Sequence, residues 1–99
     1  MKKVLIFAFI SILSLSVLPQ EIFIEDSAFE PSTITISPGT TVIWINNDDI
    51  AHEIHSNDGA YHSESLSKGE AFEMRFDAKG SYYYHCHIQS DMNGTIEVE

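Results

Sequence analysis

The sequence predicts an all-β fold, a sandwich or barrel of short strands. Three observations carry that prediction. Apolar and polar residues alternate over short runs, turn residues separate the runs at regular intervals, and no segment beyond residue 20 keeps a helical period.

The elements follow in chain order. Glu21 to Glu25 sets Ile22 and Ile24 on one face, and Thr33 to Ile36 does the same for Ile34 and Ile36. Pro38-Gly39 turns the chain. Thr41 to Asn46 has Val42 and Trp44 on one side and Ile43 and Ile45 on the other. Asp58-Gly59, Lys68-Gly69 and Lys79-Gly80 are further turn signals. Between them, Asp58 to Ser67 has room for a short helical turn. Phe72, Met74 and Phe76 share a strand face, Ser81 to His85 is an aromatic-rich strand, and Thr95 to Val98 is the last one. Trp44, Tyr82 and Tyr84 are core candidates.

The N-terminus reads as an export signal. Lys2 and Lys3 precede a run from Val4 to Val17 that is apolar apart from Ser11, Ser14 and Ser16, and Pro19 breaks it. A short apolar run behind a basic start is a signal peptide before it is a membrane span. The expected division is a signal peptide over 1–20 and one domain over 21–99, periplasmic or secreted, with no stable membrane insertion after cleavage. A retained anchor is the alternative. The domain then holds about 80 residues, near the lower end of what a single core stabilises.

The formal net charge is −10, and it becomes more negative when Lys2 and Lys3 leave with the signal. Such a surface argues against nucleic acid as a partner. It favours cations, or a protein partner with a basic surface. The single cysteine, Cys86, excludes an internal disulfide. A buried, inert thiol is the commoner fate of a lone cysteine. In an oxidising compartment, however, a lone thiol is a liability unless something occupies it, and a metal is the simplest occupant.

The chemistry-bearing stretch is Tyr84-His85-Cys86-His87-Ile88-Gln89-Ser90-Asp91-Met92-Asn93-Gly94. A strand ends in Cys86, five residues form a loop, and Met92 precedes the last strand. Thiolate, imidazole and thioether are soft ligands that suit copper. His52, just past the strand of Val42 and Trp44, supplies a further candidate ligand.

From about Phe29 to Val98 the chain resembles the cupredoxins, the small blue copper proteins of the plastocyanin, amicyanin and pseudoazurin kind. The matching pieces are Phe29-x-Pro31, Gly39-x-x-Val42-x-Trp44-x-Asn46, His52, Gly69-x-x-Phe72, Gly80-x-Tyr82, Tyr84-x-Cys86 and Met92-x-Gly94-x-Ile96. The resemblance implies a Greek-key sandwich of about 7–8 strands in two sheets, one copper ion cycling between Cu(I) and Cu(II), and electron transfer with a redox partner protein. It does not imply an enzyme. Carried over by position, His52 is the first imidazole ligand, Cys86 the thiolate and Met92 the axial thioether. Asn46 is implied to steady the ligand loops, and Asp48, Asp49 and Glu53 are expected to be solvated acids.

One departure stands out. The second imidazole of the amicyanin-like loop falls at position 89, where this chain has Gln89. A blue site needs two imidazoles and a thiolate in a plane. Three outcomes stay open: Gln89 ligates weakly, a neighbouring histidine such as His87 replaces it, or copper is held poorly. Gln89 also motivates two rival readings, a copper carrier or buffer without redox turnover and a metal-free module on the same scaffold. His55, His62, His85 and His87 are surface residues on this reading, with a second copper or zinc site as the alternative. The string His85-Cys86-His87-Ile88 also equals one in multicopper oxidases, but the other paired histidine motifs of those enzymes are missing here.

Overall fold

The computed structural model describes residues 18–89 and 91–99. Most of the expected signal peptide, residues 1–17, lies outside that range. Eight strands are present: β1 (Gln20–Glu25), β2 (Ala28–Glu30), β3 (Thr33–Ile36), β4 (Thr40–Asn46), β5 (Ile54–Ser56), β6 (Ala71–Phe76), β7 (Gly80–Cys86) and β8 (Asn93–Val98). They form two four-stranded sheets, ordered β2-β1-β4-β6 and β3-β8-β7-β5. No described residue is helical. The all-β, two-sheet expectation holds.

One local expectation needs correction, and two strands lie where none was expected. The helical turn between Asp58 and Ser67 is instead an irregular loop with turns and isolated bridges. Its hydrogen bonds go across to β5, where Ser63 N–H donates to Ile54 O at 2.8 Å and Ser63 Oγ accepts from Ile54 N–H at 2.9 Å. Two strands escape the alternation pattern because each has only three residues. β2 pairs with β1 through a two-residue turn, and β5 pairs with the end of β7.

The core forms between the sheets from the alternating residues. Ile22 and Ile24 of β1, Val42 and Trp44 of β4, Ile54 of β5, Tyr84 and Cys86 of β7 and Ile96 of β8 are fully buried. Each buried aliphatic side chain stabilises the fold by roughly 1.5–3 kcal/mol. Tyr84 packs edge-on against Phe29 at 4.7 Å and against Trp44 at 5.3 Å. Tyr82 is only half-buried and lies against Phe76.

Tyr84 stands directly across from Gly94 in the β7–β8 ladder. The phenol ring lies over that glycine, so that a Cβ built on Gly94 would sit 2.1 Å from Tyr84 Cζ. Glycine is required here by close approach. With Tyr84 held between Phe29 and Trp44, the ring has no space into which to retreat. Gly94→Ala is therefore expected to destabilise the protein by about 1–3 kcal/mol, as overpacking does. Urea unfolding checks this: the midpoint should fall with little change in slope, and an unchanged midpoint would refute the account.

Candidate metal centre

The three residues carried over as ligands come from three chain segments, and the fold gathers them at one end of the sandwich. His52 follows β4, Cys86 is the last residue of β7, and Met92 immediately precedes β8. His52, Ile54 and Ser56 share one parity and all three are buried, which continues the inward face of β5 toward the ligand end. Ile54 pairs with Cys86 across the ladder, which brings the two segments together. Cys86 Sγ lies 3.5 Å from His52 Nδ1, and both residues are fully buried.

The loop from Cys86 to Met92 closes on itself. Cys86 N–H donates to Met92 O at 3.0 Å, and Met92 N–H donates to Gln89 O at 3.1 Å. Met92 is buried and belongs to the same apolar cluster as Cys86. Gln89 is partly buried, and its side-chain oxygen Oε1 is sequestered from solvent without a hydrogen-bond partner. A buried amide oxygen left unpaired costs about 1–3 kcal/mol. It is a donor atom lacking a partner.

The histidine is held from behind. His52 Nε2 faces Asp48 Oδ2 at 2.9 Å, a contact in which the nitrogen donates, and in the neutral ring this leaves the Nδ1 lone pair toward Cys86. Asp48 also accepts the backbone N–H of Asp26 at 2.7 Å and of Ser27 at 2.9 Å. Those two residues form the β1–β2 turn with φ of 51° and 55°. Such left-handed pairs make the tightest hairpins, yet they disfavour residues other than glycine, asparagine and aspartate, such as Ser27. One carboxylate thus steadies the turn and orients the imidazole. Partial burial pushes the Asp48 carboxyl up. Its hydrogen bonds from Ser27, His52 and Asp26 and the nearby imidazole outweigh that and hold it below the ordinary 3.8. The expectation that Asp48 is a solvated acid is wrong, because its side chain is only 13 % exposed. Nothing in the sequence marks it, since the turn it grips lies over twenty residues away.

Asn46 behaves as the resemblance implies. It is fully buried, donates Nδ2–H to Leu66 O and Ile50 O at 2.8 and 3.0 Å, and accepts Asp48 N–H at 2.8 Å. It ties the loop before His52 to the segment that bridges His52 at Leu66. Asp49 is exposed and meets Lys68. Glu53, whose neighbour is His52, turns the other way and meets His55 at 3.0 Å.

The remaining histidines lie on the opposite face. His87 is exposed and stacks on His55 at 4.3 Å, away from Cys86. His85 meets Asn57 at 2.6 Å, and His62 is exposed. Strand parity separates His55, His85 and His87 from the buried pair, and His62 joins them through its bridge to His55.

These residues fit a soft metal ion. A thiolate and an imidazole bound to one tetrahedral ion, with bonds of about 2.3 and 2.0 Å, stand about 3.5 Å apart, close to the separation of Cys86 and His52. The orphaned Gln89 oxygen lies on the loop that joins Cys86 to Met92. Among the described residues no three His, Cys, Asp or Glu side chains form a cage, and this donor set has only two of those types.

The carboxylate clamp predicts a pH dependence. A carboxyl held below its unfolded value binds fewer protons folded than unfolded, so its stabilisation is present above that value and is lost as pH falls through the folded one. Asp48→Asn should lower the urea midpoint of the metal-free protein at pH 7, and the gap from wild type should close as pH drops below about 4. A gap that stays constant down to pH 2 would contradict the assignment.

Residues 5–98 match the family described as Cupredoxin-like domain. The chain is 37% identical over 84 residues to a plastocyanin of Scenedesmus fuscus, covering 72% of this chain and 86% of that protein. It is 31% identical over 81 residues to an amicyanin of Paracoccus versutus, covering 77% of this chain and 61% of that one. In structure it is similar to a purple cupredoxin from Nitrosopumilus maritimus, with a TM-score of 0.75, 29% identity and coverage of 81% of this chain and 99% of the other. With two four-stranded sheets and a buried Cys-His pair at one end, the chain belongs to the cupredoxin family.

Proposed function

We propose that this protein is an exported copper protein that transfers single electrons through one type 1-like centre with altered ligation. The observation that carries the proposal is the buried Cys86–His52 pair at 3.5 Å, with the unpaired Gln89 oxygen on the loop that joins Cys86 to Met92. His52, Cys86 and Met92 would hold the ion, with Gln89 standing in for the second imidazole. Copper supplies the redox change. The chain supplies a dry, fixed pocket: Asn46 and Asp48 fix the imidazole, and the Cys86–Met92 backbone bond fixes the loop. Rigid, desolvated ligands keep the two oxidation states close in geometry, which is what fast electron transfer requires.

Export rests on the apolar run behind Lys2 and Lys3. A redox partner with a basic surface would suit the net charge of −10. One feature favours a second reading. An amide oxygen is a harder donor than imidazole and disfavours Cu(I), so a carrier that holds copper without rapid turnover would also use this site.

Copper titration separates the outcomes. Addition of Cu(II) to the purified protein should develop an intense thiolate-to-copper absorption band, with a hyperfine splitting unlike that of a two-histidine site. Cys86→Ser should abolish the band. Gln89→His should move it toward the blue-site spectrum and speed electron self-exchange. A wild type that develops no band while Gln89→His does would overturn electron transfer and leave the carrier or metal-free readings. Tight copper binding with slow self-exchange would select the carrier.

A further inference from the structure

β7 presents a second set of metal-binding groups on its outer face. His85 and His87 flank Cys86 and point away from the core. His55, on the antiparallel neighbour β5, stands directly across from His85. His62 bridges to His55 from the other side. The four rings lie together: His55 and His87 at 4.3 Å and 14°, His55 and His62 at 5.2 Å and 27°, His55 and His85 at 6.0 Å.

The hydrogen bonds of this patch prepare it for a cation. His55 Nε2 meets Glu53 Oε1 at 3.0 Å, His85 Nδ1 meets Asn57 Oδ1 at 2.6 Å, and His62 Nδ1 meets Ser63 O at 3.2 Å. Carboxylate, amide and carbonyl oxygens accept, so whenever a ring is neutral its engaged nitrogen carries the proton and the other keeps a lone pair. A neutral imidazole with an acceptor on its far nitrogen is the usual form of a metal-bound histidine. His85 and His87, two residues apart on one strand, and His55 on the neighbouring strand put three imidazoles on one surface, two of them with that hydrogen bond.

We propose that this outer face binds one divalent ion through His55, His85 and His87, with His62 at its edge, and that among common ions Cu(II) binds most tightly. The rings stack in this structure, and among the described residues no three of them converge on a point. Aiming them takes ordinary rotamer changes, made chiefly by exposed His87 against the hydrogen-bonded rings of His55 and His85. The acidic surface, with Glu53 in contact with His55, favours the cation. The proposal is independent of the buried pair, since His52 and Cys86 face the core and these rings face solvent.

The test uses Cys86→Ser protein, which removes the thiolate, titrated with Cu(II) by calorimetry and electron paramagnetic resonance. One equivalent should bind with nitrogen superhyperfine structure and no thiolate band. Cu(II) should broaden the ring signals of His55, His85 and His87 in NMR spectra. Adding His55→Ala and His87→Ala should weaken binding by at least about tenfold, and Glu53→Gln by about tenfold. Failure of Cys86→Ser to take up Cu(II) would overturn the proposal. So would uptake that is unaltered in affinity and spectrum by the His55→Ala/His87→Ala pair, or broadening confined to residues around His52. A wild type that lacks the thiolate band while Cys86→Ser still shows the imidazole signal would defeat the electron-transfer reading alone.

Discussion

The ring of Tyr84 lies on the backbone of Gly94, and the candidate site inherits its geometry from that contact. Side chains on a strand alternate between faces, so a slip of one residue in the β7–β8 ladder would exchange every inward group for an outward one. The Tyr84–Gly94 pairing excludes the slip, because any other residue opposite the phenol would carry a Cβ into it. With Tyr84 locked inward, Cys86 two positions on must also face the core. The same register sets Met92 so that its carbonyl accepts Cys86 N–H, which closes the loop over the sulfur.

The second half of the site depends on polar groups. His52 stands outside any long strand, and hydrogen bonds as well as burial keep it in place. Asn46 uses both ends of its amide to join the loop at Ile50 and Asp48 to the segment at Leu66. Asp48 then joins that loop to the β1–β2 turn and fixes the imidazole from behind. The networks are buried or nearly so, and each member is satisfied, the condition under which polar groups in a core add rigidity. Pre-positioned ligands of this kind bind an ion with little reorganisation. The Gln89 oxygen is buried and unpaired, as are Trp44 Nε1 and the hydroxyls of Tyr61 and Tyr84, and it lies on the loop that joins Cys86 to Met92.

Strand β7 thus carries two chemistries, divided by parity. Its inner face offers a thiol next to an oriented imidazole in a dry environment. Its outer face offers imidazoles in contact with solvent and with the acceptors Glu53 and Asn57. The shared backbone places His85 and His87 one peptide away from Cys86 on either side. Any ion on the outer face would therefore be joined to the buried sulfur through a few covalent bonds.

The sequence alone determined the all-β class, five of the six longer strands to within a residue of their ends, the inward set of Val42, Trp44, Tyr84 and Cys86, and the ordered His52, Cys86 and Met92 that mark the family. These are legible because alternation and ligand spacing are local properties of the chain. The short strands β2 and β5 were not, since three residues are too few to alternate recognisably and both exist only through their partners. Asp48 was hidden for the same reason: its roles lie in contacts with Asp26, Ser27 and His52 that only the folded chain creates. The gathering of His55, His62, His85 and His87 was likewise decided by tertiary structure. Parity predicted that His85 and His87 face outward, but only the β5–β7 register and the bridge from His62 to His55 bring four rings from three segments into contact.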